Sequence, residues 1–208
     1  MEITYRGGNC VEIAVKKETV VIDGGLSALG LKDSIAKEGV YIATQTGFNP
    51  SKVDDSLRIE GPGEYEVRGV SIKGIASQRM IELNDDKKAT IYRLVIDGVS
   101  FAIVGHVRVP LTDDELEKIG VVDIAIVPVG GGGYTLDGHQ AMKVVKQLEP
   151  KVVIPTHYAD SAVHYEVPQN GLDEFIKELG AEHEKVTSYK VKGAVLPAQL
   201  TLVEIERS

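Results

Sequence analysis

The stretch "KVVIPTHYAD" (151–160) says most about the fold of this chain. Its apolar run over residues 152–155 is typical of a buried β-strand, and Thr156, His157 and Tyr158 follow directly. In α/β proteins the ends of buried strands present binding and catalytic residues. His157 is therefore the first candidate site residue, and its partners have to be sought elsewhere in the chain.

The composition is that of a globular chain with its own core and an acidic balance of charge. Of the 208 residues, 43% are hydrophobic, and the formal net charge is -8 with a pI near 5.2. This length suits one sizeable domain. The acidic balance argues against unaided binding to nucleic acid, which depends on clustered Lys and Arg, but it does not exclude a small anionic ligand.

Cysteine usage and hydropathy narrow the class further. Cys10 is the only cysteine, so the chain has no internal disulfide and no zinc site built on several thiolates. We interpret Cys10 as a buried apolar residue. No stretch approaches the length of a membrane span, and the first residues do not resemble a signal peptide, so we expect a soluble cytoplasmic protein.

Short strands dominate the first half of the chain, and strands alternate with helices in the second half. Alternating or continuous apolar residues predict strands at 2–7, 10–15, 18–23, 39–44, 63–75, 89–105 (a hairpin), 121–129, 152–155 and 196–206. Helical periodicity and capping signals predict helices at 111–120, 136–150 and 171–180. "NDDKK" (84–88) is interpreted as a charged loop tip. No segment has the composition of a linker, which favours one domain.

Three motifs carry a resemblance to a known family: "GPGEYEVRGV" (61–70), "PVGGGGYTLD" (128–137) and "EPKVVIPTHY" (149–158). Together they resemble the metallo-β-lactamase-fold superfamily, in particular the small hydrolases similar to ascorbate-6-phosphate lactonase. The resemblance implies an α/β fold, an αββα sandwich of two facing mixed β-sheets with helices on the outer faces, as a single domain over residues 1–208. It also implies one or two metal ions, commonly zinc, that activate water for hydrolysis at one edge of the sandwich.

The resemblance aligns His157 with a metal ligand of the family, but most of the other ligands are replaced. The family motif T-H-x-H-x-D-H matches "TQTGFNP" (44–50), and the early G-H-S motif matches "GGN" (7–9). The ligand positions hold Gln45, Gly47, Asn49 and Pro50. Amide side chains are poor zinc ligands, and glycine and proline offer no side-chain donor, so these residues predict that the usual di-metal site is lost.

Two further family positions bear on the same site. A family histidine falls near Gln78, and His106 stands where the family places its metal-bridging aspartate. Stable catalytic zinc normally uses three protein ligands, so His106 and His157 would need a third, for example Asp137 or His139. The alternative interpretation makes Asp137 a helix N-cap and His139 an exposed residue of the first turn.

The remaining polar candidates have structural interpretations of equal or greater weight. The glycine run 130–133 either cradles a phosphate through backbone N–H groups or forms a tight strand-to-helix turn. Glu64 and Glu66 alternate along a strand and are expected to face solvent. His164 and His183 lie in polar stretches and are expected at the surface.

The sequence therefore predicts a metallo-β-lactamase-like pseudoenzyme with a binding, scaffolding or regulatory role and no cofactor. The second interpretation is an active metal-dependent hydrolase with a rebuilt mononuclear site, in which His106 and His157 bind zinc. The third is metal-free acid–base chemistry by the same two histidines. For partners we expect a small polar or anionic ligand or a protein, no nucleic acid and no membrane; a homo-oligomer is compatible with the sequence.

The predicted ligand pocket consists of the residues at the former ligand positions that keep a polar side chain: Gln45, Asn49, Gln78, His106 and His157. We expect the imidazoles of the two histidines to lie within about 10 Å of one another. Histidine ordinarily titrates near pH 6.5, so such a pocket would hold a neutral polar molecule at neutral pH and attract a small anion as pH falls.

Overall fold

Two β-sheets stack face to face in the computed structural model, which describes residues 1–53, 57–83, 86–193 and 195–208. The strands are β1 (Glu2–Gly7), β2 (Cys10–Val15), β3 (Glu18–Ile22), β4 (Gly39–Ala43), β5 (Leu57–Glu60), β6 (Gly63–Val67), β7 (Val70–Leu83), β8 (Asp86–Ile96), β9 (Val99–Ile103), β10 (Ile124–Pro128), β11 (Val152–Thr156), β12 (Glu182–Val186), β13 (Tyr189–Lys190) and β14 (Thr201–Ile205). The helices are α1 (Asp113–Ile119), α2 (Gly138–Leu148) and α3 (Leu172–Leu179). Residues 84 and 85 of the predicted charged loop tip lie outside the described residues, and residues 86–88 belong to β8 instead of a loop.

Each sheet is mixed. The six-stranded sheet has the order β13-β1-β2-β3-β4-β5 and becomes parallel from β3 to β5. The eight-stranded sheet has the order β12-β14-β11-β10-β9-β8-β7-β6, with its parallel part running from β12 to β9. The C-terminal ends of β9, β10 and β11 therefore lie side by side at one edge of the sandwich.

The central parallel strands are apolar throughout because both of their faces are covered. In β10, Ile124 and Ile126 belong to the core between the sheets, whereas Ala125 and Val127 belong to the core beneath the helices. β11 divides its residues between the two cores in the same way. This arrangement explains why the apolar run in "KVVIPTHYAD" does not alternate with polar residues.

The helices begin and end where their capping residues predict. Thr112 and Glu115 form a capping box at the start of α1, and Asp137 and Gln140 form another at the start of α2. Buried side chains of all three helices pack with the eight-stranded sheet in one core, to which α3 contributes the fully buried Phe175. The structure thus confirms the α/β sandwich.

The outer face of the six-stranded sheet differs from the prediction. Within the described residues no α-helix covers it; Leu26 from the segment that follows β3, with its 3₁₀ turn Ser27–Leu29, packs there against Cys10, Val21 and Tyr41. Cys10 is fully buried, as predicted. The residues packed around Cys10 come from short apolar stretches without helical spacing. Such stretches are enough to cover one face of a sheet.

Some local predictions were incomplete. The sequence did not reveal β5, β12 or β13, because these short edge strands carry mostly exposed, polar residues. The segment 63–75 is a hairpin between β6 and β7, turning at Arg68 and Gly69, both with positive φ. Tyr65 on β6 is 37% exposed, since this strand lies at the edge of the sheet. Among the described residues, no helix is long and apolar enough to cross a membrane.

Candidate functional site

His106 and His157 lie against each other at the edge where the parallel strands end. His106 comes three residues after β9, and His157 follows β11 directly. Their ring centroids are 4.5 Å apart with an interplanar angle of 89°, so the edge of one imidazole meets the face of the other. The predicted proximity of these two histidines is therefore present in the structure, although 50 residues separate them in the sequence.

Two glycines allow the backbone to come close enough for this contact. A Cβ on Gly105 would lie 2.7 Å from the side chain of Thr44, the residue that follows β4 of the other sheet. A Cβ on Gly130, just after β10, would collide with the carbonyl oxygen of His157 and the side chain of Gln169. Hydrogen is the only side chain that these two positions accept without a shift of their neighbours.

The conformation of His157 is strained and firmly held. Its φ is +51°, in the left-handed region that costs a residue with a Cβ roughly 1–2 kcal/mol. Its N–H donates to the Gly8 carbonyl over 2.7 Å. Its Nδ1 lies 3.1 Å from Oε1 of Gln169, whose own amide nitrogen donates to the Val167 carbonyl. Nδ1 therefore donates the proton, and Nε2 keeps its lone pair.

His106 is fixed from the other side by Asn9. The amide nitrogen of Asn9 lies 2.8 Å from Nε2 of His106, and the same side chain also hydrogen bonds to the carboxylate of Asp23. Because the amide donates to both groups, Nε2 is an acceptor and the proton resides on Nδ1. Nδ1 of His106 and Oδ1 of Asn9 are buried without a hydrogen-bond partner, an unusual cost in a protein interior.

Both imidazoles are neutral near pH 7 because burial penalises their charged forms. His106 and His157 are 2% and 4% exposed. Burial, followed by the neighbouring His157 and then Arg79, moves the pKa of His106 well below its usual value. Burial lowers the pKa of His157 to about 4, against the opposing effect of the Gln169 hydrogen bond. We expected the pocket to attract anions as pH falls through 6.5 because histidine ordinarily titrates there. The pKa values of both histidines lie below that range, so this expectation does not apply to them.

Asp23 has the opposite shift. It follows β3, its two oxygens accept from the backbone N–H and the hydroxyl of Thr44, each over 2.7 Å, and it is 3% exposed. Burial raises its pKa to about 7, while the hydrogen bonds from Thr44 and Asn9 work in the other direction. The carboxyl group joins the ends of β3 and β4 beneath the histidine pair.

The two histidines line a cavity of about 240 Å³. Its wall is partly aromatic and apolar and partly polar. The lining residues are Asn9, Asp23, Gly25, Leu26, Ala28, Leu29, Thr46, Gly47, Phe48, His106, Tyr134, His157, Tyr165, Glu166, Val167 and Gln169. The volume exceeds the roughly 150 Å³ of an apolar cavity that admits benzene, so a small organic molecule fits.

The structure does not bring all five predicted pocket residues to this cavity. Gln45 lines a small recess behind His106, with its amide nitrogen 3.5 Å from the His106 carbonyl. Asn49 is buried but donates to Glu60 over 3.0 Å and does not line the cavity. Gln78 is exposed on β7 and lines a separate surface groove with Arg108. The shared pocket therefore holds His106 and His157, with Gln45 adjoining it. Asn49 lies in the loop after β4 and turns to Glu60, and Gln78 on β7 faces the separate groove.

The candidates for a third metal ligand are elsewhere as well. Asp137 caps α2 as the structural interpretation proposed. His139 is exposed and lies 3.3 Å from the carboxylate of Glu178 on α3. The glycine run 130–133 forms a tight turn in which Gly131, Gly132 and Gly133 have positive φ, and Gly131 N–H donates to the Leu136 carbonyl. The turn interpretation explains the glycines without a phosphate.

Several residues of the cavity were missed by sequence reasoning. Tyr134 and Tyr165 come from the loops that follow β10 and β11, and Phe48 comes from the loop after β4. Only 5% of the residues are aromatic, so aromatic side chains in polar loops after strand ends were a usable signal. Gln169 sets the tautomer of His157, and no sequence pattern around it indicated this role.

The donor atoms present do not fit the metal centre that the resemblance implies. Within the described part of the chain, no group of three or more His, Cys, Asp or Glu side chains could hold a metal ion. Of the two imidazoles, only His157 has an uncommitted lone pair, since Nε2 of His106 accepts from Asn9. A catalytic zinc ion normally has three protein ligands. Of the two histidines, only His157 offers a ring nitrogen whose lone pair is free to bind an ion.

Comparison with known proteins gives a consistent family. Residues 2–157 match the model of the β-lactamase superfamily domain. A protein of Thermococcus onnurineus named a UPF0173 metal-dependent hydrolase is 34% identical over 46% of this chain and 44% of its own length. A protein of the same name from Lysinibacillus sphaericus is 24% identical over 76% of this chain and 85% of its own. The match to the first relative thus spans less than half of that protein.

Solved structures agree on the fold. A Thermotoga maritima protein described as a Zn-dependent hydrolase of the metallo-β-lactamase superfamily has a TM-score of 0.75 at 24% identity, with 99% of each chain covered. A metal-dependent hydrolase from Parabacteroides distasonis has a TM-score of 0.64 at 16% identity, covering 98% of this chain and 93% of its own. Because the family model covers three quarters of the sequence and these structures match nearly the whole chain, the chain belongs to the β-lactamase superfamily and has the metallo-β-lactamase fold of the metal-dependent hydrolases.

Proposed function

We propose that this chain binds a small polar organic molecule in the cavity lined by His106 and His157, at the position where its family places metal chemistry. The observation that carries this proposal is the arrangement of His157. The protein holds its backbone at a strained positive φ, fixes its tautomer through Gln169 and keeps Nε2 uncommitted. Strain of this kind persists where the surrounding structure enforces it, and it concentrates at ligand sites.

The buried polar residues that line the cavity support the same proposal. Had the site lost all use, apolar side chains could have filled it at lower cost, because buried unpaired polar atoms each cost about 1–3 kcal/mol. Instead the chain keeps two buried imidazoles, Asn9 and Asp23 beside an open volume of about 240 Å³. We therefore predict that the chain binds its ligand without catalysing a reaction.

Family membership favours a second candidate, a metal-dependent hydrolase. The curated relatives bear that name, and neutral imidazole is the form of histidine that binds transition metals. Under this candidate one ion would be held by His106 and His157, and Asn9 would have to turn away from Nε2 of His106. The set of donor atoms supports the binding role and family membership supports the hydrolase, and a direct measurement of bound metal distinguishes the two candidates.

Metal content separates them. We expect the purified, tag-free protein to contain well under one zinc, manganese or iron ion per chain, since too few ligands are in place. We also expect its melting temperature to be unchanged by a chelator, because its two apolar cores need no ion. One or two tightly held ions per chain in elemental analysis, lost together with stability on chelation, would establish the hydrolase candidate instead.

Blocking the cavity tests the binding role itself. Ala28 is exposed in the 3₁₀ turn and lines the cavity, so Ala28→Trp should place an indole across it. Saturation-transfer NMR with a library of small polar fragments should give hits with the wild type that vanish in this variant. Ser27→Trp is the matched control, since Ser27 is the exposed neighbour that does not line the cavity. Fragment binding that survives Ala28→Trp, or no binding to the wild type, would refute the proposal.

A further inference from the structure

The charges around the cavity have one sign at its surface. Among the described residues that line the cavity there is no lysine or arginine, whereas Glu166 and Asp23 contribute carboxyl groups. Glu166 is exposed, so its carboxylate stands at the mouth, while Asp23 is buried at the base.

Aromatic rings form much of the wall next to this carboxylate. The ring of Tyr165 is tilted by 47° against that of His157, with ring centroids 4.7 Å apart, and Tyr134 lies 5.1 Å from His106 and 6.1 Å from His157 by the same measure. Phe48 lies 5.7 Å from His106. The face of an aromatic ring carries partial negative charge and attracts cations within about 6 Å of its centroid.

A nearby arginine does not reverse the sign at the mouth. Arg79 lines the small recess behind His106 and acts on both His106 and Tyr134. Arg79 is not among the residues that line the cavity itself, whereas Glu166 is. The arginine therefore lies behind the histidines, and the carboxylate stands at the opening.

We propose, on the basis of the binding role above, that the ligand is a small organic amine bound as its cation. Its ammonium group lies at the mouth, near the Glu166 carboxylate and the faces of Tyr134 and Tyr165. Its apolar body extends along Leu26, Leu29 and Val167 toward the neutral histidines. This replaces the anionic ligand that the sequence suggested, because the described lining of the cavity presents carboxyl groups and aromatic rings but no lysine or arginine.

Three probes with the same ring and different charges test this choice: benzylamine, which is cationic at pH 7, benzyl alcohol, which is neutral, and benzoate, which is anionic. In NMR titrations at low salt we expect benzylamine to bind about tenfold more tightly than benzoate, with benzyl alcohol between them. Equal or tighter binding of benzoate overturns the inference. A third outcome separates this inference from the proposed function. If none of the three probes binds, but other polar fragments bind to the wild type and not to Ala28→Trp, the amine inference is wrong and the cavity proposal stands.

Two substitutions link the preference to the residues named. Glu166→Gln should weaken benzylamine binding about threefold and leave benzyl alcohol unchanged, since an exposed carboxylate contributes a modest, screened attraction. Tyr134→Leu should weaken benzylamine by a similar factor through loss of the ring face. Glu182→Gln, an exposed carboxylate on β12 away from the cavity, is the matched control and should change nothing. An unchanged amine affinity in both site variants would overturn the placement of the ammonium group.

Discussion

Replacing Gly130 with alanine should destabilise the protein by about 3 kcal/mol and disorder the histidine pair. The added Cβ would occupy the space of the His157 carbonyl oxygen and of the Gln169 side chain. A carbonyl oxygen on the main chain cannot turn aside as a flexible side chain does, so the end of β11 would have to move. The Gly130 carbonyl also accepts from the Asn170 N–H over 2.6 Å, which ties the same loop to the Gln169 segment.

Urea unfolding gives the free energy of the variant, and Gly133→Ala provides its control in the same loop. Gly133 has a φ of +73° with no atom within 4 Å of an added Cβ, so alanine there costs only backbone strain, about 1 kcal/mol. Fragment binding should be lost in Gly130→Ala and kept in Gly133→Ala. Equal stability of the two variants would show that the contact between Gly130 and His157 does not position the site.

Lowering the pH should also destabilise the protein, through protonation of His157, by an amount comparable to that expected for Gly130→Ala. In the native protein its pKa is about 4, against 6.5 in the unfolded chain, so the unfolded state binds the proton first as pH falls. Stability contributed by neutral His157 is therefore complete above pH 6.5 and is lost between about pH 6.5 and pH 4. A difference of this size corresponds to about 3 kcal/mol. His106 adds to the effect in the same direction.

The wild-type pH profile alone does not isolate this effect, because Asp23 acts the other way. Its native pKa of about 7 lies above the ordinary 3.8, so the native state binds that proton first and gains stability as pH falls from 7 toward 3.8. The readout is the difference between wild type and His157→Gln, since Asp23 is common to both. Measured by urea unfolding with chelator present, this difference should move by about 3 kcal/mol in favour of the variant between pH 7 and pH 4. A difference that does not vary with pH would mean that His157 is hydrated in the native protein.

The elements that the sequence predicted well are those whose signals are local. The apolar run of β11, the hairpin at Asp97 and Gly98, and the two capping boxes each depend on residues a few positions apart. Local spacing decides which backbone hydrogen bonds and which faces are available, so these assignments hold before the chain is folded. Edge strands such as β12 lack that signal, because their stability comes from pairing with a distant neighbour.

The candidate site divides in the same way. The sequence identified His157 as a retained family position and His106 as a replacement for the bridging aspartate, both near strand ends, and it placed Gln45, Gly47, Asn49 and Pro50 where the resemblance implies metal ligands. It could not show that Asn49 bonds to Glu60 or that Gln78 faces another groove, because the direction of a side chain at a loop or bulge depends on the packing around it.

The neutral state of the two histidines was decided by the tertiary structure alone. Nothing in the sequence near His106 or His157 lowers a pKa; burial beneath loops from both sheets does so, by removing the water that would stabilise an imidazolium. The same packing brings Tyr134, Tyr165 and Glu166 to one opening, from two loops of the eight-stranded sheet. Residue types and their order determined the fold of this protein, whereas the charge state of the groups in its cavity arose only when distant segments excluded solvent together.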